Sequence, residues 1–174
     1  MQQAAPMKDT IDVLELLESQ HAEVDQLIEQ IESGRANRAA LFAELADKVA
    51  AHAAVEERIF YPAAMYPETS DMLHESVEEH LAVKRVLADM LELDPAADVD
   101  EFEAKLSVLK EQLGHHAHEE EEAKLFPLLR RLMTEDERAG VGNEVLAMFE
   151  SLIQQQPRHN VPAETAEAAP LPAP

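Results

Sequence analysis

Apolar residues recur at alternating steps of three and four through most of the chain, the spacing that lines up one face of an α-helix. Leu14, Leu17, Val24, Ile28 and Ile31 form one seam, and Phe42, Leu45, Val49 and Ile59 a second. Leu73, Val77, Val83 or Lys84, and Leu87 form a third, and Phe102, Leu106, Leu109 and Leu113 a fourth. The first helix is expected from about Lys8 to Ser33, capped by Asp9 or Thr10 and stopped by Gly34. The second runs from near Asn37 to the Tyr61–Pro62 step, or past it to Met65, with Pro67 closing the connection. Ser70 or Asp71 caps a third helix to about Leu93, Asp94-Pro95 makes a turn, and a fourth extends from about Val99 to Leu132. Thr134 and Glu137 form a capping box that opens a short fifth helix through Val145, Met148, Phe149 and Ile153.

Short connections between long helices imply antiparallel neighbours. The expected fold is therefore all-α, an antiparallel up-down-up-down four-helix bundle with a short fifth helix. Residues 1–7 are expected to be a flexible N-terminus, 8–155 the bundle domain, and 156–174 a disordered Ala/Pro-rich tail without apolar periodicity.

The seams are broken in a patterned way. His21 interrupts the first, His52 and then Glu56 the second, His80 the third, and His116 and then Glu120 the fourth, before Ala123. A carboxylate at a core position costs several kcal/mol unless something compensates it. A lone seam histidine is usually a hydrogen-bonded core residue. Four of them, one per long helix, together with two seam glutamates, point to a shared cation. Residues four apart on a helix project together, so each His-x-x-x-Glu pair can offer a nitrogen and an oxygen to one metal, or let the carboxylate bridge two. Four nitrogens and two carboxylates are too many for one closed tetrahedral zinc. They suit two metals of intermediate softness, iron or manganese, better than magnesium or calcium.

Composition narrows the chemistry. Lys and Arg number 14 against 36 Asp and Glu, a formal charge of −22, which disfavours nucleic acid and anionic lipid as partners. The absence of cysteine excludes disulfides, thiolate metal sites and cysteine nucleophiles. With no signal-peptide pattern and no apolar run of membrane-spanning length, a cytoplasmic protein is expected. No nucleophile–base triad or phosphate loop is visible. The other histidines read as peripheral: His74 off the seam of the third helix with an extra ligand role left open, His115 and His118 on solvated lines with outer-sphere roles left open, and His159 in the tail. Gly114 reads either as a point of close helix approach or as mere tolerance.

The segments IDVLELLESQH, HAAVEERIFYP, ESVEEHLAVKRVL and HHAHEEEEAKLFP, in that order over about residues 10–133, resemble the hemerythrin-like HHE cation-binding family. The second and fourth also resemble each other, as two related helix hairpins would. The resemblance implies a non-haem di-iron centre with His21, His52, Glu56, His80, His116 and Glu120 as ligands and the two glutamates as bridges. It implies binding, sensing or reaction with dioxygen, nitric oxide or peroxide, or an iron-handling role in stress. Two departures stand out. Oxygen-carrying hemerythrins have a fifth histidine one turn before the position of His80, where this chain has Ser76; fewer nitrogens favour redox turnover over reversible carriage. Glu56 lies six residues before Pro62, whereas Glu120 lies seven before Pro127, which leaves Glu121 as an alternative.

The expected function is a di-iron protein acting on a small diatomic or peroxide ligand. Its rivals are an enzyme degrading peroxide or reducing nitric oxide, and a metal-dependent sensor whose fifth helix or tail engages a protein partner.

Overall fold

A computed structural model describes residues 10–34 and 37–174, all-helical with no strand among them. Lys8, Asp9 and residues 1–7 lie outside the described residues. Helix α1 spans Val13–Ser33. Asp12, not Thr10, is its N-cap: its carboxylate accepts the Leu14 N–H at 2.9 Å and is itself held by Arg138. Gly34 closes the helix at φ 63°, the left-handed conformation that glycine adopts without steric cost. Helix α2 spans Arg38–Val55, capped by Asn37, and continues through a π-type stretch, Glu56–Phe60, into a final turn, Tyr61–Ala63.

Helix α3 spans Ser70–Leu91. It is preceded by Thr69, whose buried hydroxyl donates to the Ala64 carbonyl at 2.6 Å and accepts from the Tyr66 N–H at 3.0 Å, fixing the connection. Helix α4 spans Val99–Gly114, continues through a π-type stretch, His115–Leu125, and ends as Phe126–Leu132. Helix α5, Glu135–Gln154, has the expected Thr134/Glu137 capping box but is as long as α1, at 20 against 21 residues, and not short.

The chain after Gln156 differs from the expectation of a free tail. Pro157–Glu164 forms a 3-10 segment that docks on the bundle. Val161 is buried among core residues, Arg158 pairs with Asp47, and Arg85 donates to the Thr165 carbonyl at 3.0 Å. Buried Pro157 and Val161, the contacts of Ala168, Ala169 and Leu171 with the second apolar layer, and a few charge-assisted bonds hold a segment whose composition carries no periodic signal.

Helix α1 packs on α2, α3 on α4, and α5 over α1 and α2. The seams meet in two apolar layers. One holds Val24, Ile28, Val49, Val83, Leu87 and Leu109 among others; the second holds Leu14, Leu17, Val55, Phe60, Val77 and Leu125. Along α1 the order is Leu17, His21, Val24, and along α3 it is Val77, His80, Val83. The interrupting histidines therefore fall in the plane between the two layers, and that plane is the candidate site.

Candidate metal centre

Six side chains meet in this plane: His21 from α1, His52 and Glu56 from α2, His80 from α3, and His116 and Glu121 from α4. Glu56 and Glu121 are fully buried, and the histidines nearly so. Their donor atoms form two groups of coordination size, His21–His52–Glu56–Glu121 and Glu56–His80–His116, sharing Glu56. Nε2 of His21 lies 3.2 Å from Nε2 of His52 and 3.2 Å from Oε2 of Glu121. His52 Nε2 is 3.1 Å from Glu56 Oε1, and His80 Nε2 is 3.1 Å from Glu56 Oε2. His80 and His116 face each other through Nε2 at 3.0 Å.

The structure brings five of the six expected residues together and substitutes Glu121 for Glu120. Glu120 points outward, 2.6 Å from Lys124 Nζ. The helix changes step here. The Phe126 N–H reaches the Glu121 carbonyl five residues back, as the Tyr61 N–H reaches that of Glu56. A π-type stretch absorbs one extra residue per turn, so the interior line from His116 arrives at Glu121. Both buried glutamates then precede the next proline by six residues, and the spacing to Pro127, not the heptad, is the measure that fits.

An outer ring fixes each imidazole. His21 Nδ1 lies 2.7 Å from Glu122, His52 Nδ1 2.8 Å from the Gln20 side-chain oxygen, His80 Nδ1 3.0 Å from Glu57, and His116 Nδ1 2.7 Å from Glu79. Each partner offers an acceptor oxygen, so Nδ1 carries the hydrogen and Nε2 of a neutral ring keeps its lone pair. These four partners were missed in the sequence, yet they follow a rule. Gln20 and Glu79 each precede a seam histidine, and Glu57 and Glu122 each follow a buried glutamate. Lys84 Nζ, 2.9 Å from both oxygens of Glu57, extends the ring outward. His115 and His118 stand on the outer oxygens of Glu79 and Glu122, at 3.4 and 2.9 Å. His74 is exposed, its Nδ1 2.8 Å from the Ser70 carbonyl, and takes no part. An added Cβ at Gly114 would meet nothing, so close helix approach is not its role.

Tyr61 was also missed. Its hydroxyl sits inside the cluster, 3.2 Å from Glu56 and 3.0 Å from Glu121. The signal available was the repeat itself, Tyr61-Pro62 against Phe126-Pro127.

The electrostatics are those of a cage awaiting positive charge. Burial opposes ionisation of Glu56, but His52, His116 and His80 hold its carboxyl well below the usual range. Burial lowers His21, yet the carboxylate of Glu121, with Glu56 and Glu122, outweighs it and raises His21 to about 9. His116 is raised against burial by Glu121, Glu56 and Glu79, and His80, against burial and the neighbouring His116, by Glu56 and Glu57. In His52 burial prevails and the ring is pushed down. Burial, then the charges of Glu121 and Glu56, push the Tyr61 phenol well above its ordinary value. Oε1 of Glu56 and Oε2 of Glu121 are buried without a hydrogen-bond partner. These oxygens face Nε2 of His52 and His21 at 3.1 and 3.2 Å, and a buried carboxylate there requires a proton on the facing ring or a cation between the two. Four imidazoles around two buried carboxylates are a donor set that fits a metal.

The family description hemerythrin HHE cation binding domain matches residues 12–129. No curated protein and no solved structure matches the chain. No described helix is long and apolar enough to cross a membrane.

Proposed function

The chain belongs to the hemerythrin HHE cation-binding family, and from that premise we propose that it is a non-haem di-iron protein that binds and reacts with small ligands such as dioxygen, nitric oxide or peroxide. The observation that carries this reading is the convergence of imidazole Nε2 atoms from α1, α2, α3 and α4 on two buried carboxylates, each with an oxygen that lacks a hydrogen bond. His21, His52, Glu56 and Glu121 would hold one ion, and Glu56, His80 and His116 the other, with Glu56 as the bridge. An iron pair would supply open coordination positions and one-electron redox changes to a bound ligand. The protein's part is orientation and exclusion of water. Gln20, Glu57, Glu79 and Glu122 lock the imidazoles, and the apolar layers seal the plane above and below. A small cavity of about 30 Å³ among His21, Val24, Val49, His52, Leu113 and His116 is room for a ligand of two heavy atoms. We read the long helices as an antiparallel up-down-up-down bundle, supported by the short connections at Gly34–Asn37 and Glu92–Asp98.

A second reading, a metal-dependent sensor, is favoured by one chain of contacts. His80 is held by Glu57, Glu57 by Lys84, and Lys84 by Glu164 of the docked C-terminal segment at 3.0 Å. A change in charge at His80 has a polar path to a surface segment that a partner can touch.

Metal analysis with an optical spectrum of protein produced in iron-rich medium tests the leading reading. Close to two irons per chain, with the near-ultraviolet absorption of a coupled ferric pair, is expected. One tightly bound zinc per chain, with no iron uptake on anaerobic reconstitution, overturns it.

A further inference from the structure

Tyr61 and Phe126, which stand at equivalent places in the two halves of the internal repeat, differ by one oxygen atom. Tyr61 follows Glu56 by five residues across one π-type stretch, and Phe126 follows Glu121 by five across the other. Their rings stand against opposite histidines: Phe126 is stacked on His21 with centroids 6.2 Å apart, and Tyr61 on His80 at 5.5 Å. Of the two rings only Tyr61, on the His80 side, carries a hydroxyl, which also reaches across to Glu121 Oε1 at 3.0 Å.

That hydroxyl occupies a defined corner. It is 3.2 Å from Glu56 Oε2, 3.3 Å from His80 Nε2 and 3.4 Å from His116 Nε2. Those three atoms lie 3.0, 3.1 and 3.7 Å from one another. Four donors bonded tetrahedrally to one ion at about 2.0–2.1 Å are separated by roughly 3.3–3.4 Å, and the six observed edges scatter about that value. The phenol's one hydrogen can go to Glu56 or to Glu121, and its oxygen lone pairs face the same space between Nε2 of His80 and His116 that a metal held by those nitrogens would occupy.

Resting on the di-iron reading, we propose that Tyr61 is an oxygen ligand of the Glu56–His80–His116 position, so that the group with three histidine and glutamate donors gains a fourth donor and one metal position is tyrosine-bound and the other not. Its O–metal bond forms as the hydroxyl proton leaves to solvent, with no electron transferred.

The test is resonance Raman spectroscopy on the full-length chain reconstituted with ferric iron. The expected result is a visible phenolate-to-iron charge-transfer band, with tyrosine ring modes enhanced by excitation within it. Tyr61→Phe should bind iron yet lose both band and modes; the second tyrosine of the chain, Tyr66, remains as an internal control. Iron bound by the unaltered chain without tyrosine modes overturns the inference, and so does a band that persists in Tyr61→Phe. The unaltered protein decides the point by itself should the variant fail to fold. Failure of the unaltered chain to bind iron at all overturns the di-iron reading and this inference with it, and is told apart from the other outcomes by the metal content.

Discussion

His116 Nε2 and Glu121 Oε2 lie 3.7 Å apart although five residues separate them, because the helix that carries both takes π-type steps through this stretch. Glu120, four residues on from His116, is turned to Lys124 instead. Glu121→Gln keeps the volume and removes the charge. Because losing an outer partner alone typically costs about 10–100-fold in metal affinity, this substitution should cost no less. Glu120→Gln should leave iron content unchanged and stability within about 0.5 kcal/mol, as surface changes do. Iron per chain in the two variants is the measurement. Loss of metal in Glu120→Gln with Glu121→Gln intact would reverse the assignment.

This exchange marks how far the sequence could be read. Helical seams, capping box and interrupting histidines were legible because period 3.6 is written in side-chain polarity. The π-type stretch was not, since the run Glu119–Glu122 offers four identical side chains and only phase to tell them apart. The six-residue spacing of Glu56 to Pro62, repeated from Glu121 to Pro127, did carry the answer. The roles of Gln20, Glu57, Glu79 and Glu122 were hidden for another reason. Each acts on a histidine of a different helix, a relation that exists only once the helices are packed.

Removing the metal should lower stability. A ligand that binds only the folded state at a thousand times its Kd stabilises by about 4 kcal/mol, equivalent to roughly 8–16 °C in Tm for a domain of this size. Chelated protein should melt lower by about that much, with Glu56 and Glu121 left uncompensated. Scanning calorimetry of chelated and reloaded samples checks this; equal melting points would mean that no bound cation stabilises the core.

Protons should stand in for metal when it is absent. The folded-state pKa of His21 is raised to about 9, against about 6.5 when unfolded. Its contribution to metal-free stability is therefore complete below about pH 6.5 and is lost as the pH rises through about 9. His80 and His116 are shifted in the same direction. Metal must displace these protons, so uptake near neutral pH should release them, and the gap in melting point between loaded and metal-free protein should widen from about pH 6.5 to 9. Titration calorimetry in buffers of different ionisation enthalpy reads the release. An apparent binding enthalpy identical in every buffer would show the histidines already neutral.

Two glycines on the same molecule should respond oppositely to alanine. A Cβ built at Gly142 would stand 2.0 Å from the Ile11 carbonyl oxygen, where the chain entering α1 crosses α5. Gly142→Ala should force these segments apart and cost about 1–3 kcal/mol, as overpacking does. Gly114 has open space around it and a helical φ of −64°, so Gly114→Ala should be neutral or stabilise by up to about 1 kcal/mol. Denaturant midpoints of the two variants decide it; a loss at Gly114 equal to that at Gly142 would refute the packing argument.

The docked C-terminal segment makes a prediction that its composition alone would not. Val161 is 1% exposed, the Arg158 N–H donates to Asp47 at 3.0 Å, and Lys84 reaches Glu164. Full burial of an aliphatic side chain is worth about 1.5–3 kcal/mol, or roughly 3–12 °C in Tm for a domain of this size. Deleting residues 157–174, which also removes buried Pro157 and the packed Leu171, should lower the melting point by at least that much. It should leave iron content unchanged, because none of the six cluster residues lies in the deleted segment. Val161→Asp should reproduce the loss without shortening the chain, since a carboxylate among the apolar residues around Val161 bears the cost of desolvation. Hydrogen exchange supplies the independent check. Backbone amides within 157–164 should be protected in the intact protein and exposed in Val161→Asp. Rapid exchange across the segment in the unaltered chain, with no change in melting point on truncation, would mean that the tail moves freely in solution.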